Sequence, residues 1–344
     1  TAVDCRPPVV FGTFRTEEHR MDIFEKLADQ LRGQDKTIVF PEGEDPRVLG
    51  AAIRLKKDQL VEPVVLGNQE AVEKVAGENG FDLTGLQILD PATYPAEDKQ
   101  AMHDALLERR NGKNTPEQVD QMLEDISYFA TMLVYMGKVD GMVSGAVHAT
   151  GDTVRPALQI IKTKPGSHRI SGAFIMQKGE ERYVFADCAI NIELDAPTMA
   201  EVASQSAETA KLFGIDPKVA MLSFSTKGSA KGDMVTKVAE ATKLAKEANP
   251  DLAIDGELQF DAAFVPSVGE LKAPGSDVAG HANVFIFPSL EAGNIGYKIA
   301  QRFGGFEAIG PVLQGLNAPV ADLSRGTDEE AVYKVALITA AQAL

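Results

Sequence analysis

A hydroxyl and a guanidinium group, Ser324 and Arg325, stand side by side in a glycine turn ahead of a long amphipathic segment. The hydroxyl can donate a hydrogen bond, and the guanidinium can bind an oxyanion through two parallel hydrogen bonds. Thr327 and Glu330 have the spacing of a capping box, which predicts Glu330 at the third position of the helix. The segment therefore fits an anion-binding turn and also an ordinary helix start.

A second anion-binding pattern lies in the loop from Val143 to Arg155, which follows a predicted strand and leads into a predicted helix. Ser144, Thr150 and several glycines would offer hydroxyl and backbone N–H donors, and a helix N-terminus adds a positive field. Arg155 adds a guanidinium that fits a phosphate. The spacing matches neither of the common nucleotide-binding loops, so the alternative is a plain strand-to-helix turn.

Two other polar segments have weaker claims to a function. The stretch 108–113 places Arg109, Arg110 and Lys113 together, although cations at a helix C-terminus are favoured by the helix dipole alone. The stretch 224–232 is rich in Gly, Ser and Lys, and it could bind an anionic group or be a simple loop. Neither segment decides the function by itself.

The sequence offers no metal site and no cysteine nucleophile. His148 and His168 lack other ligands at suitable spacing, and the carboxylates near residue 257 have no His or Cys beside them. We expect no bound metal or organic cofactor. Cys188 follows an apolar strand, which favours a buried, unreactive thiol.

Composition restricts the class of protein. The chain has 344 residues, 44% hydrophobic and 24% charged, with no Trp and a net charge of −16. The acidic balance argues against nucleic-acid binding. Two distant cysteines, Cys5 and Cys188, favour a reducing compartment, so we expect a cytoplasmic protein with no membrane span. Residues 1–20 are interpreted as an N-terminal extension or as a segment that is foreign to the natural protein.

Strands and helices alternate along the chain, which predicts parallel sheets covered by helices. We predict an α/β fold of two α/β/α domains with mainly parallel sheets and a cleft between them. One helix is expected over 115–135, and the last over 328–343. The predicted strands are 36–41, 63–66, 141–144, 172–176, 183–187, 219–223, 253–255 and 284–287.

Six stretches in order, taken together, resemble the phosphate acetyltransferase family. They are FPEGEDPR (40–47), DGMVSG (140–145) with TVRP (153–156), FADCAIN (185–191), DGELQFD (255–261), PSLEAGNIGYK (288–298), and GPVLQGL (310–316) with DLSRG (322–326). The resemblance implies a first domain over 21–157 and 311–344, a second over 158–310, final helices that return to the first domain, and a homodimer.

The resemblance also implies roles for individual residues. Arg110, Arg155, Ser324 and Arg325 match active-site residues of the family. In the same way the matching stretches suggest binding of coenzyme A (CoA) by Arg47, Asn294, Lys298 and Gln314. One departure concerns the base for the thiol, because the family usually has an Asp seven residues after the serine, where this chain has Ala331; Glu330 is the nearest substitute.

These roles imply direct attack of the CoA thiolate on acetyl phosphate, with both bound together. Arg110, Arg155, Ser144 and Thr150 would hold the phosphate, and Ser324 would donate to the carbonyl oxygen or to the sulfur. Three alternatives remain: a phosphate butyryltransferase, a degenerate acyl-CoA or acyl-phosphate sensor, and a metal-dependent decarboxylating dehydrogenase of similar architecture. The last would need a carboxylate trio and a nicotinamide site, and neither is legible.

Overall fold

The computed structural model describes residues 23–344. The predictions for residues 1–20 and for Cys5 therefore lie outside the described part of the chain. Its helices are α1 (Ile23–Leu31), α2 (Pro46–Lys57), α3 (Gln69–Asn79), α4 (Ala96–Arg110), α5 (Pro116–Glu124), α6 (Ile126–Tyr135), α7 (Thr150–Ile160), α8 (Ala196–Leu212), α9 (Asp233–Ala248), α10 (Phe260–Phe264), α11 (Pro266–Lys272), α12 (Leu290–Arg302) and α13 (Glu329–Gln342).

The strands form two separate sheets. The strands are β1 (Thr37–Phe40), β2 (Glu62–Leu66), β3 (Gln87–Leu89), β4 (Gly141–Ser144), β5 (Ser171–Lys178), β6 (Glu181–Ala186), β7 (Lys218–Leu222), β8 (Ala253–Leu258), β9 (Val284–Ile286), β10 (Glu307–Gln314) and β11 (Val320–Asp322). The first sheet has the order β11-β4-β1-β2-β3, and the second has the order β10-β5-β6-β9-β7-β8.

Every pairing in the first sheet is parallel. Its short strands are apolar on both faces because helices cover both sides, as parallel sheets require. Helices α1, α2 and α13 pack on one face, while α4 to α7 belong to the core on the other. Strand β11 pairs with β4, so the carboxyl ends of these two strands lie next to each other.

The second sheet is mixed. The pairs β6–β9, β9–β7 and β7–β8 are parallel, whereas β5 forms a hairpin with β6 and also pairs antiparallel with β10. The mixed α/β architecture with mostly parallel sheets confirms the predicted fold class. Helix α13 packs against α1, α2 and β4, which brings the last helix back to the first sheet.

One predicted helix was wrong in its extent. The single helix expected over 115–135 is two helices, because Asp125 leaves the helical conformation and starts a new helix. Its carboxylate accepts hydrogen bonds from the N–H groups of Ser127 and Tyr128, at 2.8 and 3.3 Å. An aspartate at such a position satisfies N–H groups that a helix start leaves open, and it therefore competes with helix continuation.

Candidate active site

A cavity of about 760 Å³ opens between the two sheets, where the loops at the carboxyl ends of β4 and β11 face helix α12. His148, Thr150 and the segment 322–328 line it on the side of the first sheet. Tyr297 and Lys298 line it on the side of the second sheet. Clefts at the carboxyl ends of parallel strands are the usual binding sites of α/β proteins.

The predicted pair Ser324 and Arg325 lines this cavity, on a loop that Arg47 holds in place. All five N–H donors of Arg47 are engaged within the chain. They bond both carboxylate oxygens of Asp45 and the carbonyl oxygens of Ala146, Arg325 and Thr327, at 2.8–3.0 Å. This network gives Arg47 a positioning contact on the loop that carries Ser324 and Arg325, and its predicted contact with CoA stays a prediction.

The second loop of the cavity, residues 145–148, is held by the buried carboxylate of Glu42. Its two oxygens accept hydrogen bonds from the backbone N–H groups of Ala146, Val147 and His148, at 2.8–2.9 Å. The same carboxylate lies 2.7 Å from Nδ1 of His148. An ionised carboxylate only accepts hydrogen bonds, and four donors converge on this one.

Asp322 ends β11 at the floor of the cavity and is 3% exposed. Burial raises the pKa of its carboxyl to about 6, and the charge of Glu42 acts in the same direction, against the hydroxyls of Thr150 and Thr153. Its Oδ1 has no hydrogen-bond partner among residues 23–344. Burial favours the neutral form of this carboxyl, since desolvation penalises the charge more than the two hydroxyls offset.

The loop residues predicted to bind phosphate are only partly brought together. Thr150 starts α7 and lines the cavity. Ser144 is completely buried beneath it, and its Oγ has no hydrogen-bond partner within the described residues. The backbone oxygen of Ser144 accepts a hydrogen bond from Leu323, which fastens the two loops together.

Arg110 and Arg155 lie near each other, at the end of α4 and in the second turn of α7. Burial raises the pKa of Tyr128, and the positive charges of Arg155 and Arg110 both oppose this rise. Nε of Arg110 donates to Asn114 at 2.7 Å. Within residues 23–344, no carboxylate forms an ion pair with Arg155. The two arginines make a positive region beside the start of α7.

The residues predicted to bind CoA fall into two groups. Asn294 and Lys298 lie on α12 and line the cavity, with Lys298 Nζ 2.8 Å from Asn294 Oδ1. Gln314, in contrast, is buried at 3% exposure. Its amide group bonds the hydroxyls of Ser171, Ser206 and Thr209, at 2.5–3.2 Å. These contacts occupy Gln314 in the interior, so its predicted role was wrong.

The predicted capping box is also wrong. Asp328, and not Thr327, caps α13 by accepting from the N–H of Ala331 at 2.8 Å. Glu330 is therefore in the first turn with its carboxylate turned to Arg54, with which it forms an ion pair. Ala331 and Glu330 both line the cavity, but the ion pair occupies the carboxylate that would have to replace the missing aspartate.

The other segments considered in the sequence, 224–232 and Cys188, belong to the second sheet and its loops. The stretch 224–232 folds back on Glu257, whose Oε1 accepts from Gly228 N and Ser225 Oγ. Cys188 is buried in the cavity wall, and burial raises the pKa of its thiol well above the ordinary value.

No group of three His, Cys, Asp or Glu among residues 23–344 could hold a metal ion. No helix there is long and apolar enough to cross a membrane.

Sequence reasoning missed Glu42, Asp322 and His148 as members of the site. A partial signal existed for each, since Glu42 and His148 closely follow the buried strands β1 and β4, and Asp322 ends β11, all at the carboxyl edge of the first sheet. Their burial and mutual contacts are tertiary features that a one-dimensional pattern does not contain.

Comparisons with known proteins agree with this architecture. The family described as "Phosphate acetyl/butaryl transferase" matches residues 22–340. A phosphate acetyltransferase of Staphylococcus epidermidis is 62% identical over 328 residues, which cover 94% of this chain and 99% of that protein. One of Bacillus subtilis is 60% identical, with the same two coverages.

A solved structure of a phosphotransacetylase from Streptococcus pyogenes superposes with a TM-score of 0.90 at 59% identity. The match covers 93% of this chain and 98% of that one. Because the family match and these relatives all span nearly the whole described chain, the protein belongs to the phosphate acetyltransferase and butyryltransferase family.

Proposed function

We propose that this protein is an enzyme that transfers an acetyl group between CoA and inorganic phosphate, forming acetyl phosphate and CoA from acetyl-CoA and phosphate. The observation that carries the proposal is the combination of near-complete coverage by relatives named phosphate acetyltransferases with a cavity that holds Ser324 and Arg325. The family description also includes butyryl transfer. The relatives at about 60% identity favour the acetyl substrate.

The cavity supports direct transfer with both substrates bound. Arg325 on its rim can bind the phosphate of acetyl phosphate, and the positive region formed by Arg110 and Arg155 can attract it. Ser324 can donate to the oxyanion that develops on the acetyl carbonyl. Lys298 and Asn294 on the opposite wall can contact CoA. No covalent acetyl-enzyme is required, because the thiolate itself is the nucleophile.

We further propose that the reaction needs neither a metal nor a bound organic cofactor, and that it takes place in the cytoplasm. CoA is then a substrate. Transfer of the acetyl group between phosphate and the CoA thiol has no redox step. The positive charges of the arginines take the place of a Lewis acid at the phosphate. The net charge of −16 repels anionic substrates in general, so their attraction to the cavity depends on the cations placed there.

A homodimer is part of the proposal. Ile295 and Ile299 on α12 and Phe303 at its C-cap are exposed and follow one another at spacings of four residues, with Phe303 91% exposed. Such an apolar stripe on a helix surface suits burial against a second copy of the chain. Light scattering should give twice the monomer mass, and Phe303→Glu should lower it. A wild-type protein that stays monomeric at high concentration would contradict the dimer.

For the domains, we propose the division into 21–157 with 311–344 and 158–310. The two sheets support this division, except that β10 lies wholly in the second sheet. The return to the first sheet then comes after Gln314, a few residues beyond the predicted boundary.

A coupled assay tests the function. Purified protein should form acetyl-CoA from acetyl phosphate and CoA, at the same rate with and without excess chelator. Butyryl phosphate in place of acetyl phosphate measures acyl preference. No turnover with either substrate would favour the sensor, which Ala331 makes chemically reasonable because the family's usual carboxylate is absent there. A rate that falls with chelator would overturn metal-free chemistry.

A further inference from the structure

The thiol of CoA must lose a proton before it attacks, and the cavity leaves few groups free to accept it. Ala331 has no ionisable group, and Glu330 is paired with Arg54. Asp322 is 3% exposed and lies within the floor of the cavity. The side chain of His148, in contrast, is 31% exposed and lines the same cavity as Ser324.

The orientation of His148 is fixed by Glu42. The Glu42 side chain is 2% exposed, and its carboxylate lies 2.7 Å from Nδ1 of the imidazole. Since a carboxylate that already accepts three backbone N–H groups has only acceptor positions, Nδ1 must be the donor. The neutral ring therefore carries its proton on Nδ1 and its lone pair on Nε2, the nitrogen that Glu42 does not bind.

We propose that His148, held in this tautomer by Glu42, is the catalytic group that accepts the CoA thiol proton, in place of the carboxylate that is missing at Ala331. This inference rests on the proposed function. The backbone N–H groups that fix Glu42 come from the same short loop as His148, so carboxylate, loop and ring form one rigid unit. A rigid base with a buried acidic partner is a common arrangement for proton transfer.

The step balances as follows. Nε2 takes the thiol proton while the sulfur forms a bond to the carbonyl carbon of acetyl phosphate. The tetrahedral intermediate collapses, and the bond between that carbon and the phosphate oxygen breaks. The proton on Nε2 then passes to the departing phosphate, which leaves as hydrogen phosphate. In the opposite direction, the imidazolium returns the proton to the CoA thiolate.

Other charged groups around the imidazole of His148 also influence how the activity depends on pH. Those of the first sheet and its loops are Glu42, Asp322, Arg47 and Arg325. Those on α13 and across the cavity are Asp328, Glu330, Lys334, Lys298, Arg302 and Glu307. Only the substitution of His148 itself separates its proton transfer from these surrounding charges.

The test compares His148→Asn with the wild type and with His168→Asn. Asparagine can still donate to Glu42 from the position of Nδ1, but it has nothing at the position of Nε2. His168 is a matched control, because it is an exposed histidine beside Glu201, outside the cavity. We expect kcat at neutral pH to fall by about two to three decades in His148→Asn. The KM for CoA and the thermal unfolding temperature should hardly change, and His168→Asn should match the wild type.

Two readouts distinguish proton transfer from a structural role. The rise of kcat with pH on the acidic side should be lost in His148→Asn, and added imidazole should restore activity to His148→Ala in proportion to its neutral form. If His148→Asn keeps wild-type kcat with an unchanged pH profile, the inference is wrong. It is also wrong if Asp322→Asn, and not His148→Asn, removes the acidic limb, or if imidazole restores nothing.

The outcome for the wild type separates this inference from the function on which it rests. A wild-type protein without turnover overturns the proposed function and the inference with it. An active wild type with an unaffected His148→Asn variant overturns the inference alone.

Discussion

Two buried carboxylates, Glu42 and Asp187, follow a strand in each of the two sheets and do the same local task with different outcomes. Asp187 accepts hydrogen bonds from the N–H groups of four residues at 2.9–3.1 Å, as Glu42 does from three. The additional partner of Asp187 is the amide of Asn191, which does not titrate. The additional partner of Glu42 is an imidazole that faces the cavity.

The difference shows how one structural device serves two purposes. A carboxylate that satisfies several backbone N–H groups makes a loop rigid, because each of those groups would be costly if buried without a partner. Around Asp187 the rigidity reaches the cavity wall through Cys188, whose carbonyl accepts a hydrogen bond from Asn294 at 3.1 Å, but it orients no imidazole. Around Glu42 it is passed on to His148, and so to the geometry of the cavity.

The largest expected effects come from replacing the two carboxylates by their amides. Asp187→Asn puts an N–H₂ group against N–H donors, so we expect a loss of about 3–5 kcal/mol in the free energy of unfolding. Glu42→Gln should lose a similar amount and also most of kcat. Denaturant unfolding measures the first quantity, and assays of the folded fraction measure the second.

The distinction between the two loops would be wrong if Asp187→Asn and Glu42→Gln lowered kcat to the same extent. A folded Asp187→Asn protein with normal kcat beside an inactive Glu42→Gln protein supports the difference. Equal losses of kcat at matched folded fraction would mean that both loops matter only as scaffold.

Next in size is the effect of Arg155→Ala, on α7 in the positive region that Arg155 forms with Arg110. Loss of a charge-assisted bidentate contact should lower kcat/KM by about two decades, and Arg155→Lys should recover only part because a point charge replaces a planar fork. Steady-state kinetics with acetyl phosphate as the varied substrate measures both. Intact kinetics in Arg155→Ala would show that this residue takes no part in phosphate binding.

Asp322 differs from Glu42 and Asp187, because it is a buried carboxyl whose Oδ1 has no hydrogen-bond donor among the described residues. Its pKa is raised from 3.8 to about 6. That shift corresponds to roughly 3 kcal/mol, at 1.36 kcal/mol for each pKa unit. The associated stability is fully present below the unfolded pKa and is lost as the pH rises through the folded pKa.

Asp322→Asn removes this titration. The variant should therefore gain stability relative to the wild type as the pH rises, by on the order of 1–2 kcal/mol between about pH 5 and pH 8, since the unfolded carboxyl is already ionised at the lower value. Urea unfolding at both pH values measures the difference. A constant difference between the two proteins would mean that Asp322 does not titrate in this range.

The smallest effect is expected on the second-sheet side, next to Asp187. Cys188 is buried and its thiol pKa is raised, so it is protonated at neutral pH and is a poor nucleophile. Cys188→Ala should keep kcat within about twofold, although the lost packing lowers stability slightly. Rapid-mixing kinetics should show no burst of acetyl-enzyme in either protein; a burst lost in the variant would overturn direct transfer.

Much of the fold was predictable from the sequence because strand and helix periodicity are local. Most strands agree with their predicted positions to within a few residues, and Ser324, Arg325, Thr150, Asn294 and Lys298 line one cavity as expected. The errors have tertiary or competitive causes. Two alternative caps, Thr327 and Asp328, stand side by side before α13, and aspartate provides the stronger acceptor for the helix N–H groups.

The contacts of Gln314 and Arg47 could not be predicted from the sequence for a related reason. Each is a long polar residue in a matching motif, and nothing in the local sequence says whether its donors face a ligand or the interior. The structure commits Gln314 to three buried hydroxyls and Arg47 to carbonyl oxygens of two loops. Only the contacts between distant segments decide such cases, and these include Arg47 with Thr327 and Ser144 with Leu323.

The pairing of β11 with β4 has a consequence for folding of the enzyme during its synthesis on the ribosome. Met142 of β4 pairs with Val320 of β11. One edge of β4 therefore stays unpaired while all the strands of the second sheet are synthesised, until β11 emerges. A nascent chain in that interval presents an open strand edge, which favours association with other chains. Chaperone binding should therefore concentrate on the interval before residues 320–322 leave the exit tunnel, and the cavity can form only afterwards.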